Sequence, residues 1–193
     1  MLQVKNLFVD LGGFRLTADF EIERGSLISI VGPSGAGKST ILNALAGFIP
    51  LTSGVIKWNG SDITKLDPGL RPLSILFQDY NLFSHLTVKD NIAIGLRPNL
   101  KLDDLETEMV NSVIEEVGLS KFKFIKPFQL SGGQRTRVSL ARSIVRSKPI
   151  LLLDEAFSGL GPALRSEMIK LIKDKSIKEG ITPVSYTHLR AHE

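Results

Sequence analysis

The apolar run Leu27-Ile28-Ser29-Ile30-Val31 passes straight into Gly32-Pro33-Ser34-Gly35-Ala36-Gly37-Lys38-Ser39, and Thr40 to Ala46 then has helical character up to Gly47. A short, nearly continuous apolar run predicts a strand buried on both faces, and Gly47 is a natural helix terminator. Strand, glycine loop and helix together form an anion cradle. The glycines let main-chain N–H groups converge on phosphates, and the helix N-terminus adds a favourable dipole. In that cradle Lys38 is placed to reach the β- and γ-phosphates, and the Ser39 hydroxyl to ligate Mg²⁺. Thr40 adds a hydroxyl near the α-phosphate. The loop therefore predicts an α/β fold on a P-loop core that takes a nucleoside triphosphate with Mg²⁺. A glycine turn that binds nothing is the bland alternative, and the flanking strand and helix weigh against it.

The neighbouring segments agree with an α/β fold. Alternation in Gln3 to Val9 and in Phe14 to Phe20 predicts two antiparallel strands at the start. Gly54 to Trp58, Leu73 to Phe77 and Ile150 to Leu153 read as further strands. Between Asp79 and Arg146 the spacing turns helical, over Thr87 to Leu96, Asp103 to Val117 (with Gly118 as cap) and a third stretch from about Gly133. This block is an insertion into the core, which is expected to span 1–78 and 147–183 with a helical subdomain over about 79–146. Pro162 opens a last helix, at the position where proline is favoured.

Composition narrows the class. The 193 residues suffice for one core, with 42% hydrophobic and 23% charged residues. The net charge of +4 is spread along the chain and reads as a solvated exterior rather than a nucleic-acid surface. Cysteine is absent, which excludes disulfides and thiolate metal sites. No apolar run approaches the ~20 residues that cross a bilayer, and Met1 to Lys5 lacks a signal-peptide core. Any membrane role is therefore expected to be peripheral, through a partner.

Two later segments carry chemistry. Leu151-Leu152-Leu153-Asp154-Glu155 ends a buried strand where ligand crevices form in parallel sheets. Asp154 fits a Mg²⁺-holding carboxylate, and Glu155 is placed to accept a proton from the water that attacks the γ-phosphate. A capping pair at a strand–helix turn would look the same, so this reading leans on the P-loop. Leu130-Ser131-Gly132-Gly133-Gln134 offers a hydroxyl and N–H groups at a helix start, a second anion site. An ordinary N-cap would look similar.

Resemblance joins these pieces. The order of P-loop, Phe77-Gln78, Leu130 to Gln134, and Asp154-Glu155 resembles ATP-binding-cassette ATPases across most of the chain. Asn81-Leu82-Phe83-Ser84-His85-Leu86-Thr87-Val88 resembles, within that family, the ATPase subunits of bacterial thiamine importers. The resemblance implies a P-loop NTPase (RecA-like) core with N-terminal antiparallel strands and an inserted helical subdomain. It implies ATP sandwiched in a head-to-tail homodimer, with Ser131, Gly132, Gly133 and Gln134 of one protomer over the phosphate held by Lys38 of the other. Gln78 then contributes to Mg²⁺ or water and couples to a transmembrane permease, with a solute-binding protein acting indirectly. The implied location is the cytoplasmic face of the bacterial inner membrane. Another small-molecule importer, or a nucleotide-binding fragment with impaired hydrolysis, is the alternative. A soluble cassette acting on nucleic acid would carry paired cassettes or a coiled-coil insertion, and neither is present.

The chain also departs from the family pattern. Ala156 stands where proline is usual, and Gly161 stands where an interface aspartate is usual, so weaker coupling between the two ATP sites is expected. The adenine-stacking aromatic aligns with Leu11, leaving Phe14 as the nearest substitute. His188 falls at the spacing of the family's switch histidine. Yet Val184 to Glu193 reads as a translated transposon-type sequencing adapter, and Ser185, Tyr186 and Thr187 break the apolar run of a buried strand. Residues 184–193 are therefore expected to be a non-native tail on a C-terminally truncated chain. His85 carries no mechanistic claim beyond that of a surface histidine.

Overall fold

Backbone pairing sorts eight strands into two four-stranded sheets. The computed structural model describes residues 1–188 apart from Gln78, Tyr80 and Ser158, and of residues 186–188 the main chain alone. By packing, the chain divides into two units, one of residues 1–75, 149–154 and 172–193, the other of 76–148 and 155–171.

In the first unit, β1 (Leu2–Asp10) pairs antiparallel with β2 (Arg15–Ile22) and with β4 (Ser53–Trp58). The short β5 (Ser61–Asp62) closes the order β2-β1-β4-β5. The alternation read from the sequence sends Leu2, Val4, Leu7 and Val9 to one buried face. A bulge interrupts β1 between Val4 and Leu7, where Asn6 adopts a φ of 47°. Opposite it, Gly54 has a φ of 98°, and a Cβ there would fall on the Asn6 carbonyl. The bulge and the glycine require each other.

The second sheet runs β3 (Ile28–Gly32), β8 (Thr182–His188), β7 (Ile150–Asp154), β6 (Leu73–Leu76). Strand β8 is parallel to both β3 and β7, as βαβ crossovers require. Helix α1 (Lys38–Ala46) follows β3 and buries Leu42 and Leu45 in the cluster formed with Ile150, Leu152 and Val184. Fully burying each such leucine contributes about 1.5–3 kcal/mol.

Two expectations are corrected here. Strand β3 is not buried on both faces: Ile28 and Ile30 pack on the core, while Ser29 is exposed and Val31 is 52% exposed. Among the described residues its one strand neighbour is β8, and one face is turned away from the core. The strand also does not break at Ser185. Strand β8 continues to His188 because β3 and β7 offer ladders on either side, and the Ser185 hydroxyl lies 2.8 Å from that of Ser29. Main-chain pairing and a polar side-chain contact replace the missing apolar alternation.

The second unit is helical: α2 (Val88–Ala93), α3 (Asp104–Glu116) and α4 (Gly132–Val145), with α2 and α3 both packed on α4. Helix α3 starts at a capping box in which Asp103 and Glu106 satisfy each other's main-chain N–H groups. Fully buried Asn91 accepts from the Phe83 N–H and donates to the carbonyls of Phe83, Leu86 and Thr87, fixing the turn before α2. Helix α5 (Pro162–Glu179) begins at proline, as expected.

Gly54→Ala should destabilise the protein by about 2–4 kcal/mol, because it adds a side chain at positive φ against Asn6. Urea unfolding at unchanged m-value checks this, and wild-type stability would show that the bulge can shift to make room.

Candidate functional site

At the end of β3 the chain makes its tight loop, with Ala36 N–H donating to the Pro33 carbonyl at 3.3 Å and positive φ at Gly35 (77°) and Gly37 (87°). Gly37 is doubly constrained. Its φ suits glycine, and a Cβ there would stand 2.8 Å from Phe14 Cζ and 3.0 Å from Leu16 Cδ1. Lys38 is buried, and its Nζ donates to the Gly32 carbonyl at 2.9 Å and the Pro33 carbonyl at 2.7 Å. The ammonium thus lies back on the loop that it would share with a phosphate. Ser39 is exposed on the first turn of α1 and Thr40 is half-buried. Pro33, Ser34, Gly35 and Ala36 are all exposed, so the loop presents its main chain outward.

Asp154 ends β7 and is half-buried. Strand register puts Gly32 beside His188, and Asp154 beside Tyr186, so the carboxyl ends of β3, β8 and β7 reach one edge of the sheet. Two strand spacings, about 10 Å, separate the β3 and β7 lines. That span suits a hydrated cation and phosphates between loop and carboxylate. Ser39 and Asp154 are hard oxygen donors, the type that Mg²⁺ takes in ones and twos with water and phosphate completing its shell. The pair fits that ion.

Glu155, the next residue, has a φ of 44°, and its Oε1 is shielded from solvent. A non-glycine residue held in the left-handed region costs about 1–3 kcal/mol and marks functional turns more often than plain connections. Ala156 behind it is buried.

The Leu130–Gln134 segment forms the start of α4. Ser131 Oγ accepts from the Gln134 N–H at 3.3 Å, and Gln134 Oε1 accepts from the Ser131 N–H at 2.9 Å. This reciprocal box makes the N-cap and anion readings compatible. The Ser131 hydroxyl proton remains a donor, and the Gly132 and Gly133 N–H groups have no carbonyl within their helix to bind. Gly133 also lies under Leu164, whose Cδ2 would have to swing aside for a Cβ there. A cleft of about 250 Å³ opens beside the cap, lined by Ser131, Gln134, Arg137, Phe122 and Leu164.

Phe14, not Leu11, approaches the loop: Leu11 is 52% exposed, while Phe14 stacks over Gly37 beyond the turn closed by Leu11 N–H to the Phe14 carbonyl at 3.0 Å. Gly161 accepts the α5 bond from Arg165 N–H at 3.0 Å, and among the described residues, its chain neighbours aside, nothing lies within 4 Å of where its Cβ would be. Gln78 and the side chain of His188 lie outside the described residues. His85 is exposed and meets Phe83 edge to face at 6.1 Å. Among the described residues no helix is long and apolar enough to cross a membrane.

This loop, carboxylate and capped glycine helix define a P-loop nucleotide cassette. A family model described as "ABC transporter" matches residues 17–158. The chain belongs to the ABC transporter family. The thiamine import ATP-binding protein ThiQ of Ruegeria sp. (strain TM1040) is 46% identical over 97% of this chain and 81% of its own length. The protein of the same name from Histophilus somni (strain 129Pt) is 50% identical over 97% and 87%. Among solved structures, an ATP-binding cassette of an ABC transporter in its ADP conformation superposes with a TM-score of 0.88, at 25% identity over 97% of this chain and 80% of its own. A dimeric cassette in a post-hydrolysis state bound to ADP and Pi gives 0.81 at 28% identity, over 100% and 88%.

Gly37→Ala should weaken ATP binding at least about tenfold, since the loop cannot hold its turn with a side chain against Phe14. Titration with a fluorescent ATP analogue checks this, and unchanged affinity would show that Phe14 is free to move aside.

Proposed function

We propose that this chain is the ATP-hydrolysing subunit of a bacterial thiamine importer. In this reading it works as a head-to-tail homodimer under a transmembrane permease, on the cytoplasmic face of the membrane. The carrying observation is identity of 46% and 50% to thiamine import ATP-binding proteins along most of both chains. The loop geometry around Lys38 and the shared edge of Gly32 and Asp154 support it.

Each residue then has a task. Lys38 releases the Gly32 and Pro33 carbonyls and turns to the β- and γ-phosphates. The N–H groups of the 33–39 loop take the remaining phosphate oxygens. Ser39, Asp154 and Gln78 would hold Mg²⁺, which when bound would supply neutralising charge to those oxygens. Glu155 accepts the proton of the attacking water, and its fixed main-chain turn aims the carboxylate. Ser131, Gly132, Gly133 and Gln134 of the other protomer close over the γ-phosphate with donors alone, so closure depends on the triphosphate being present. Phe14 offers its ring as the platform for adenine in place of Leu11.

The second reading, impaired turnover, rests on Gly161. A Cβ at this position meets no described atom within 4 Å. Gly161→Asp should therefore fold normally and raise the cooperativity of ATP hydrolysis. An unchanged Hill coefficient would refute a coupling role for this position.

Glu155→Gln should lower turnover by about 10²–10⁴-fold while ATP-dependent dimerisation persists on size exclusion. Loss of ATP binding in the same variant would assign Glu155 to folding instead. Labelled-thiamine uptake by cells that lack this chain, with and without its restoration, tests the substrate. Restored uptake of a different solute alone would reject thiamine.

A further inference from the structure

Helix α1, which carries Lys38 and Ser39, has no basic residue in its last turn. The cation at that end comes from elsewhere. Arg71, 3% exposed, reaches it from the segment before β6. Its Nη1 donates to the carbonyls of Ala44 at 2.8 Å and Leu45 at 2.6 Å, its Nη2 to Thr64 at 2.7 Å, and its Nε to Leu66 at 3.0 Å. One planar guanidinium thus joins the carboxyl end of α1 to the turn after β5 through four main-chain carbonyls. The glycine that ends the helix is matched to it. Gly47 caps α1 at a φ of 87°, and a Cβ there would lie 2.7 Å from Arg71 Nε and 2.9 Å from its Cζ.

A buried cation is costly unless it is hydrogen-bonded, and here the helix dipole and four carbonyls offset the loss of water. Burial lowers the Arg71 pKa from its ordinary value, yet a guanidinium stays charged in proteins. Helix α1 spans nine residues, about 14 Å. In so short a rod, the direction in which the first-turn N–H groups point follows from where the last turn is held. At the far end Gly37, the N-cap, contributes no side-chain cap bond.

We propose that Arg71 is a positioning residue for the nucleotide site, locking the carboxyl end of α1 so that its amino end meets the phosphates at the right angle. This rests on the ATPase reading above. It sets Arg71 apart from a general core residue, because its loss should act on nucleotide affinity more than on the chemical step.

The test compares wild type, Arg71→Met, which keeps volume but removes the donors, and Arg71→Lys, which keeps the charge without the planar fork. Expected is a KM for ATP about tenfold higher in Arg71→Met with kcat within about twofold, and an intermediate KM in Arg71→Lys. A folded Arg71→Met with unchanged KM overturns the proposal, as does a Lys variant no better than Met. Amide hydrogen exchange without nucleotide supplies an independent reading, and it covers the case in which Arg71→Met does not fold. In Arg71→Lys the Ile41–Asn43 amides, the first in α1 that have intrahelical acceptors, should exchange about tenfold faster than in wild type. Faster exchange confined to residues 44–47 overturns the proposal. Wild-type protein that fails to bind or hydrolyse ATP would reject the proposed function, and the exchange experiment would still decide the role of Arg71.

Discussion

The parallel pairing of β8 between β3 and β7 is the contact on which the site depends. It sets Gly32 and Asp154 on one edge of one sheet, although 122 positions separate them in sequence (154 − 32). Without that strand, no ladder would link β3 to β7, and the loop and carboxylate would have no fixed spacing. Local chemistry then acts on this frame. Gly37 yields its side-chain space to Phe14 and Leu16, Lys38 rests on the loop carbonyls, and α1 carries the hydroxyls of Ser39 and Thr40 outward from a buried base.

The helical unit solves a different problem. Its glycine helix must present donors without losing its own start. The reciprocal bonds between Ser131 and Gln134 do this, since each satisfies a main-chain N–H of the other while the hydroxyl proton stays available. Leu164 over Gly133 favours a small residue at that position whether or not it touches a ligand. Structural and functional demands coincide on the same residues, so neither reading of the motif excludes the other.

Much of this was legible beforehand, for a physical reason. Phosphate binding by main-chain N–H groups needs glycine at defined offsets, with a strand before and a helix after, and such a pattern survives in one dimension. The capping box from Ser131 to Gln134, the Gly118 and Gly47 helix ends and the alternation of β1 are equally local. The approach of Phe14 to Gly37 and the clasp of Arg71 on the end of α1 are not. Arg71 precedes a proline and sits in no periodic pattern, so nothing nearby marks it as buried. Likewise the positive φ of Glu155 is absent from the apolar-run-plus-acid pattern that singled it out.

The sequence by itself determined the class of ligand, the family, and the local turns proposed to grip phosphate, because these rest on backbone freedom and short-range hydrogen bonding. Tertiary structure alone decided three things. It left β3 with β8 as its one strand neighbour among the described residues and with one open face, because strand order is not written in strand composition. It carried β8 through Ser185, because ladders on both sides replace apolar alternation. It also brought Arg71 to the end of α1, because a cation finds buried carbonyls only after the chain has folded around them.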